Sequence, residues 1–90
     1  MADKRQWVRD RLNQVFQDVF DDESIQIWDA MSASDLDEWD SLMHISLVVA
    51  TEKVFRLKLN VTEVASLANV GDMIELLLAR APLNEITGSL

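Results

Sequence analysis

Hydrophobic residues in the first twenty positions recur every three or four residues, as they do along one face of an α-helix. Asp3 precedes this segment as a candidate N-cap, and Gln6 stands three residues later, where a capping box places its second member. The pattern predicts an amphipathic helix of about four to five turns. Its buried face is predicted to contain Val8, Leu12, Val15, Phe16, Val19 and Phe20.

Residues 21 to 40 mix acidic and apolar side chains with no sustained period. This segment is longer than a routine connection, so we expect an ordered loop with a functional role. Trp28 and Trp39 flank its acidic part, and large aromatic side chains commonly anchor loops to a core. We therefore expect both indoles to close the core over the helix tops. The alternative is a contact with partner proteins.

A second helix is predicted to begin at Asp40 or Ser41 and to end at Val54 or Phe55. Its expected core positions are Leu42, Ile45, Val48, Val49 and Phe55. The apolar arc of this helix is wide, because a second stripe runs beside the first and contains Met43, Leu47 and Ala50. That second stripe is open to three interpretations: ordinary core, the lining of a groove, or part of a docking face.

Two further helices are predicted from their capping residues. Asn60 and Glu63 form a capping-box pattern that opens a short helix, whose apolar residues are Val64 and Leu67. Asn69 caps a helix from residue 70 to about residue 80, which Pro82 prevents from continuing. The inward residues of this last helix are predicted to be Met73, Ile74, Leu77 and Leu78.

These elements predict an all-α fold, a four-helix bundle with three longer helices, a short third helix and a long loop between the first two. Residues 1–82 are expected to form this domain and residues 83–90 a flexible tail. An apolar fraction of 49%, with two Gly and one Pro, favours a packed helical chain over a disordered one. The absence of Cys excludes disulfides and cysteine-based metal sites.

The negative charge is concentrated in the long loop. The chain has a net charge of −8, and residues 18 to 40 contain nine Asp and Glu with no Lys or Arg. Such a surface attracts basic protein partners and is unsuited to nucleic acid, which requires clustered basic residues. No apolar run reaches the roughly 20 residues that span a bilayer, and residues 1 to 17 do not resemble a signal peptide. We expect a soluble, cytoplasmic monomer.

Ser41 lies where this acidic loop meets the apolar second helix. It could simply be the N-cap of that helix. Asp40 is an equally good cap one residue earlier, and in that case the Ser41 hydroxyl is free in the first turn. The backbone N–H groups and the helix dipole there favour an attached phosphate.

At these residues the chain resembles the acyl carrier proteins, whose signature Asp-Ser-Leu opens the second helix of a four-helix bundle, here as Asp40, Ser41 and Leu42. The resemblance covers nearly the whole chain and includes the acidic loop and residues 41–45, 52–55, 61–67 and 70–74. It implies a carrier rather than an enzyme. A phosphopantetheinyl transferase would attach 4′-phosphopantetheine from coenzyme A to Ser41. An acyl-loading ligase or acyltransferase would supply the cargo, and a downstream synthase, transferase or thioesterase would receive it.

The chain departs from the usual family pattern around the serine. Residues 37–39 contain no glycine, and Ser46 and Lys53 stand where acidic residues are expected on the second helix. We interpret this as a sign of dedicated partners, as in a polyketide, peptide or specialised acyl pathway, which dock on the loop and the helix start. The candidate partner-binding residues are Asp35, Asp37, Glu38, Trp39, Met43, His44 and Leu47.

The sequence gives less support to a hydrolytic site or a calcium site. His44 is the single histidine, and a hydrolytic Ser–His pair lacks the strained turn that presents such a serine. We therefore expect His44 to be a partly exposed helix residue, and the alternatives are a contact with a partner or with the arm. A calcium loop starting at Asp35 would have Ser46 in place of its final glutamate, so a specific EF-hand is excluded and no metal ligand is assigned. Weak association of divalent ions with the acidic loop stays open. The alternative function is an unmodified helical interaction module whose acidic loop binds a basic partner.

Overall fold

The structure is a computed structural model that describes residues 3–81. The helices found there are α1 (Lys4–Val19), α2 (Ser41–Phe55), α3 (Val61–Ala65) and α4 (Val70–Arg80), and a 3₁₀ turn (Ala33–Asp35) lies in the loop between α1 and α2. The predicted all-α architecture is confirmed. The tail predicted at residues 83–90 and the stop predicted at Pro82 lie outside the described residues.

Local capping explains where each helix begins. The predicted cap side chains Asp3, Asp40, Asn60 and Asn69 accept hydrogen bonds from the backbone N–H groups of Arg5, Met43, Glu63 and Asp72. Each cap satisfies an N–H group that has no partner inside its own helix. The capping box at Asn60 is complete. The second half of the box expected at Gln6 is not formed, and the side-chain oxygen of Gln6 accepts a hydrogen bond from Arg9 instead.

Helix α1 packs against both α2 and α4 and provides the centre of the core. Four of its six predicted core residues, Val8, Leu12, Val15 and Phe16, are buried. The other two, Val19 and Phe20, are partly buried and pack against the same cluster. The period of the apolar positions in α1 thus correctly predicts the face that it buries.

The buried face of α2 differs from the predicted one. Val48 and Phe55 are buried as expected, together with Leu47 and Thr51. The expectation was wrong for Leu42, Ile45 and Val49, which are exposed. Because α2 is apolar around most of its circumference, its sequence pattern does not distinguish the arc that meets α1 from the arc that faces outward.

The second half of the chain follows the prediction more closely. Helix α3 is short and ends at Ala65, so Leu67 lies just beyond it rather than within it, although Leu67 still packs against the core. Helix α4 has the predicted bounds, with Met73, Ile74 and Leu77 buried. Leu78 is only partly buried at the edge of the cluster.

The long loop is anchored to the bundle at several points. Four of its apolar side chains enter the core, namely Ile25, Ile27, Met31 and Trp39. Asn13 of α1 accepts a hydrogen bond from the backbone N–H of Ile27 at 2.8 Å, and Asp29 forms ion pairs with Arg5 and Arg9 at 2.6 and 2.8 Å. Trp28, which was also expected to close the core, is 48% exposed, so that expectation was wrong.

Candidate functional site

Ser41 is the first residue of α2, and Asp40 is the cap of that helix. The Asp40 carboxylate accepts a hydrogen bond from the backbone N–H of Met43 at 2.9 Å. Ser41 is exposed, and within residues 3–81 no hydrogen bond engages its hydroxyl. Of the two interpretations left open by the sequence, the one with a free serine hydroxyl is therefore the one observed.

Ser41 opens into a groove of about 590 Å³ between the start of α2 and the segment that joins α3 to α4. We call it the serine groove, and its lining residues are Ala33, Trp39, Asp40, Ser41, His44, Ile45, Leu67 and Ala68. No Lys or Arg of the described residues lines it. A group attached to Ser41 can thus lie along the surface of the bundle without displacing core residues.

A second groove of about 550 Å³ continues from the first, between α2 and α3. We call it the apolar groove, and it is lined by His44, Ile45, Val48, Val49, Leu59, Val61, Val64, Ala65 and Leu67. His44, Ile45 and Leu67 line both grooves. The apolar groove is thus continuous with the surface that presents Ser41.

Sequence reasoning missed the apolar groove because it assigned its α2 residues to the core. Ile45 is 59% exposed and Val61 is 84% exposed, and both face this groove. The one available signal was an excess of apolar residues on α2, more than a single buried stripe requires. Exposed apolar surface in a concave patch is characteristic of binding surfaces.

Trp39 and His44, which flank Ser41 in the sequence, contact each other. The indole N–H of Trp39 donates to Nδ1 of His44 at 3.0 Å, and the two rings stack 6.0 Å apart at 19°. Trp39 is only 7% exposed and packs edge to face on Phe16. Trp39 therefore closes the core, which is one of the two interpretations given above, and together with His44 it lines the serine groove.

The remaining candidate partner-binding residues fall into different environments. Asp37 and Glu38 are exposed, and so is Asp35, whose carboxylate accepts a hydrogen bond from the Ser32 backbone at 2.9 Å. Met43 is partly buried. Leu47 is fully buried in the core. The prediction that Leu47 contacts partners is therefore corrected, because this side chain belongs to the core cluster and has no exposed surface.

The basic residues at the C-terminal end of α2 lie far from Ser41. Lys53, with Arg56 and Lys58 just beyond the helix, lines a separate groove at that end. The 15 residues of α2 place that end about 20 Å from Ser41. The charged residues that immediately precede Ser41 in the chain are all acidic and exposed, namely Asp37, Glu38 and Asp40.

This geometry leaves the Ser41 oxygen exposed and without a hydrogen bond in the described part of the chain. No hydrogen bond joins Ser41 to His44 in the described part of the chain, and Nδ1 of His44 is already occupied by Trp39. In the same part of the chain, no three His, Asp or Glu side chains are grouped so as to hold a metal ion. None of the helices described is long and apolar enough to span a membrane.

Comparison with known proteins shows which family has this fold. No protein-family model matches the chain, and no curated protein is similar enough to count as a match. Among solved structures, the chain is similar to a holo acyl carrier protein from Geobacter metallireducens, with 35% identity over 92% of this chain and 94% of that one and a TM-score of 0.79. The helical architecture, the Asp-Ser-Leu start of α2 and this similarity lead to one conclusion: the chain belongs to the acyl carrier protein family.

Proposed function

We propose that the protein carries acyl groups on a 4′-phosphopantetheine arm attached to Ser41, the hydroxyl of which is exposed and takes no part in capping α2. That observation carries the proposal. The similar Geobacter protein is a holo form, which adds support. When attached, the arm supplies a terminal thiol that binds acyl groups as thioesters, which this cysteine-free chain cannot do by itself.

The attachment requires a phosphopantetheinyl transferase. The Ser41 oxygen attacks the phosphorus that bears the pantetheine group of coenzyme A, and the bond from that phosphorus to the nucleotide part breaks. The hydroxyl proton passes to a base of the transferase, because neither Asp40 nor His44 is hydrogen-bonded to the Ser41 hydroxyl in the described residues. The role of this chain is to hold an accessible hydroxyl on the rigid first turn of a helix.

The test is mass spectrometry of the intact protein after incubation with coenzyme A, Mg²⁺ and a phosphopantetheinyl transferase of broad specificity. We expect the wild type to gain one arm and the Ser41→Ala variant to gain none. Ser46→Ala is the matched control, because Ser46 is also exposed on α2 and its loss should leave the modification intact. Failure of several transferases to modify the wild type would favour the unmodified interaction module.

We further propose that the protein serves dedicated enzymes in a specialised acyl, polyketide or peptide pathway. These are a loading ligase or acyltransferase and a downstream synthase, transferase or thioesterase, all in the cytoplasm. Support comes from the charge distribution, with exposed Asp37 and Glu38 before the serine and uncharged Ser46 and basic Lys53 on the exposed part of α2. Basic partner surfaces are expected to approach from the loop side of Ser41.

Charge reversal tests this docking direction. The double variant Asp37→Lys/Glu38→Lys is preferable to one that includes Asp35, because the Asp35 carboxylate also holds the loop through Ser32. The matched control is Asp18→Lys/Glu23→Lys, which makes the same change of net charge at exposed positions elsewhere. We expect the first pair alone to slow acyl transfer, at least tenfold at low salt and less at high salt. Equal rates for both pairs would contradict the proposal.

A further inference from the structure

The hydrogen bond between Trp39 and His44 determines which nitrogen of the imidazole carries the proton. An indole N–H can only donate, so Nδ1 of His44 must present a lone pair at the observed 3.0 Å separation. A neutral histidine with an unprotonated Nδ1 carries its proton on Nε2. The Trp39 contact therefore selects the Nε2–H form of the histidine.

The core holds this arrangement in place. The Trp39 ring packs edge to face on Phe16 with centroids 5.2 Å apart, and contacts Phe20 at 6.5 Å. The buried indole is thus fixed by aromatic neighbours from α1, and it fixes the orientation of the stacked imidazole in turn. Since Nδ1 faces the indole, Nε2 is the nitrogen that remains for the groove.

His44 lies on the helical face beside Ser41, three residues further along α2. Both residues line the serine groove. The other polar side chains of that groove cannot donate to a bound group: the Trp39 N–H is already used, Asp40 is a carboxylate, and the Ser41 hydroxyl would be esterified. Among the described residues that line this groove, His44 therefore offers the one side-chain donor, its Nε2–H group.

We propose that His44 donates a hydrogen bond from Nε2–H to the phosphodiester of the arm on Ser41, with Trp39 as the positioning residue that selects the required tautomer. This inference rests on the proposed modification of Ser41. The surroundings make such a donor useful, because the Asp40 carboxylate lines the groove and no Lys or Arg does among the described residues. His44 also lies where the serine groove meets the apolar groove, so the hydrogen bond directs the arm towards α3.

Nuclear magnetic resonance of the apo and holo forms tests this directly, since His44 is the single histidine of the chain. In the apo form, the imidazole ¹⁵N shifts should identify Nε2 as the protonated nitrogen. In the holo form, the ³¹P resonance of the phosphodiester should shift in His44→Phe, which keeps a ring against Trp39 but has no donor. It should return towards the wild-type position in His44→Gln, whose amide can donate.

Trp39→Phe provides the independent test of tautomer selection. It retains an aromatic ring against Phe16 but removes the indole N–H, so the ¹⁵N shifts of His44 should move towards a mixture of tautomers. Thermal unfolding establishes whether this variant is folded. If it is not, the wild-type ¹⁵N shifts and the two His44 variants still decide the question.

The possible results separate this inference from the proposed function. An arm present by mass, with a ³¹P resonance that is the same in wild type, His44→Phe and His44→Gln, would overturn the role of His44 and leave the carrier function intact. A protonated Nδ1 in the neutral wild type would overturn it as well. A wild type that never acquires an arm would refute the proposed function itself and the inference with it.

Discussion

The backbone N–H of Gly71 donates to the carbonyl oxygen of Asp29 at 2.7 Å, and a Cβ atom on Gly71 would lie 3.0 Å from that same oxygen. The preceding residue, Val70, donates to the carbonyl of Met31 at 2.8 Å. These are N–H groups of the first turn of α4, which have no partner within their own helix. The loop that leads to Ser41 is thus attached to the start of α4.

Replacing Gly71 with alanine should destabilise the protein by about 1 kcal/mol, although alanine is the better helix former by a similar amount. A methyl group at 3.0 Å from the Asp29 carbonyl forces the loop away from α4 and weakens the hydrogen bond. Chemical denaturation measures the effect. Ala79→Gly, at an exposed position of α4, calibrates the helix propensity in the same element. A Gly71→Ala variant more stable than the wild type would show that the loop moves freely.

Leu47 and Leu42 should respond very differently to truncation, although both are leucines of α2. Leu47→Ala leaves a cavity in the core and should cost about 2–5 kcal/mol in free energy of unfolding. Leu42 is 70% exposed, so Leu42→Ala should change stability by less than about 0.5 kcal/mol. Urea denaturation of the two variants measures both values. Similar losses would mean that the assigned buried face of α2 is incorrect.

Alanine substitutions at Asp40 and Ser41 should affect the stability of the protein differently, because only Asp40 caps α2. Asp40→Ala removes the acceptor for the Met43 N–H and should cost about 1 kcal/mol. Ser41→Ala removes a hydroxyl without a hydrogen bond in the described residues, so stability should stay within about 0.5 kcal/mol of the wild type. Thermal unfolding of the two apo proteins makes the comparison. A larger loss for Ser41→Ala would assign the capping role to the serine.

The ion pairs of Asp29 should make stability depend on pH. Hydrogen bonds from Arg5, and then from Arg9, lower the pKa of the Asp29 carboxyl below the ordinary value of about 3.9. A carboxyl with a lowered pKa in the folded state contributes stability that is complete above the unfolded pKa and is lost as the pH falls through the folded pKa. Asp29→Asn should therefore be less stable than the wild type at pH 7. The gap should narrow as the pH falls below about 4.

Denaturation of the wild type and of Asp29→Asn at a series of pH values and at low ionic strength measures how this stability difference depends on pH. The matched control is Asp18→Asn, an exposed acidic residue of α1 for which no ion pair is found among the described residues. A constant gap between Asp29→Asn and the wild type from pH 7 to pH 3 would show that the arginine contacts contribute no pH-dependent stability. Because these groups are partly exposed, salt should reduce the effect.

The sequence by itself was sufficient for the helix starts and for the place of Ser41. A cap is a contact between a side chain and a backbone N–H two or three residues away, so Asp3, Asp40, Asn60 and Asn69 could be identified from local spacing alone. The same holds for the buried face of α1, where a single apolar stripe alternates with polar residues.

Only the tertiary structure decided which side of α2 is buried and what surrounds the serine. Helix α2 is apolar around most of its circumference, so its sequence does not determine which side packs against α1. In the folded protein Leu47 is buried and Ile45 lies exposed in a groove. The hydrogen bond from Trp39 to His44 likewise depends on aromatic residues of α1 that hold the indole in the core. Contacts between segments far apart in the chain leave no periodic trace in the sequence, and for that reason these features could not be predicted from it.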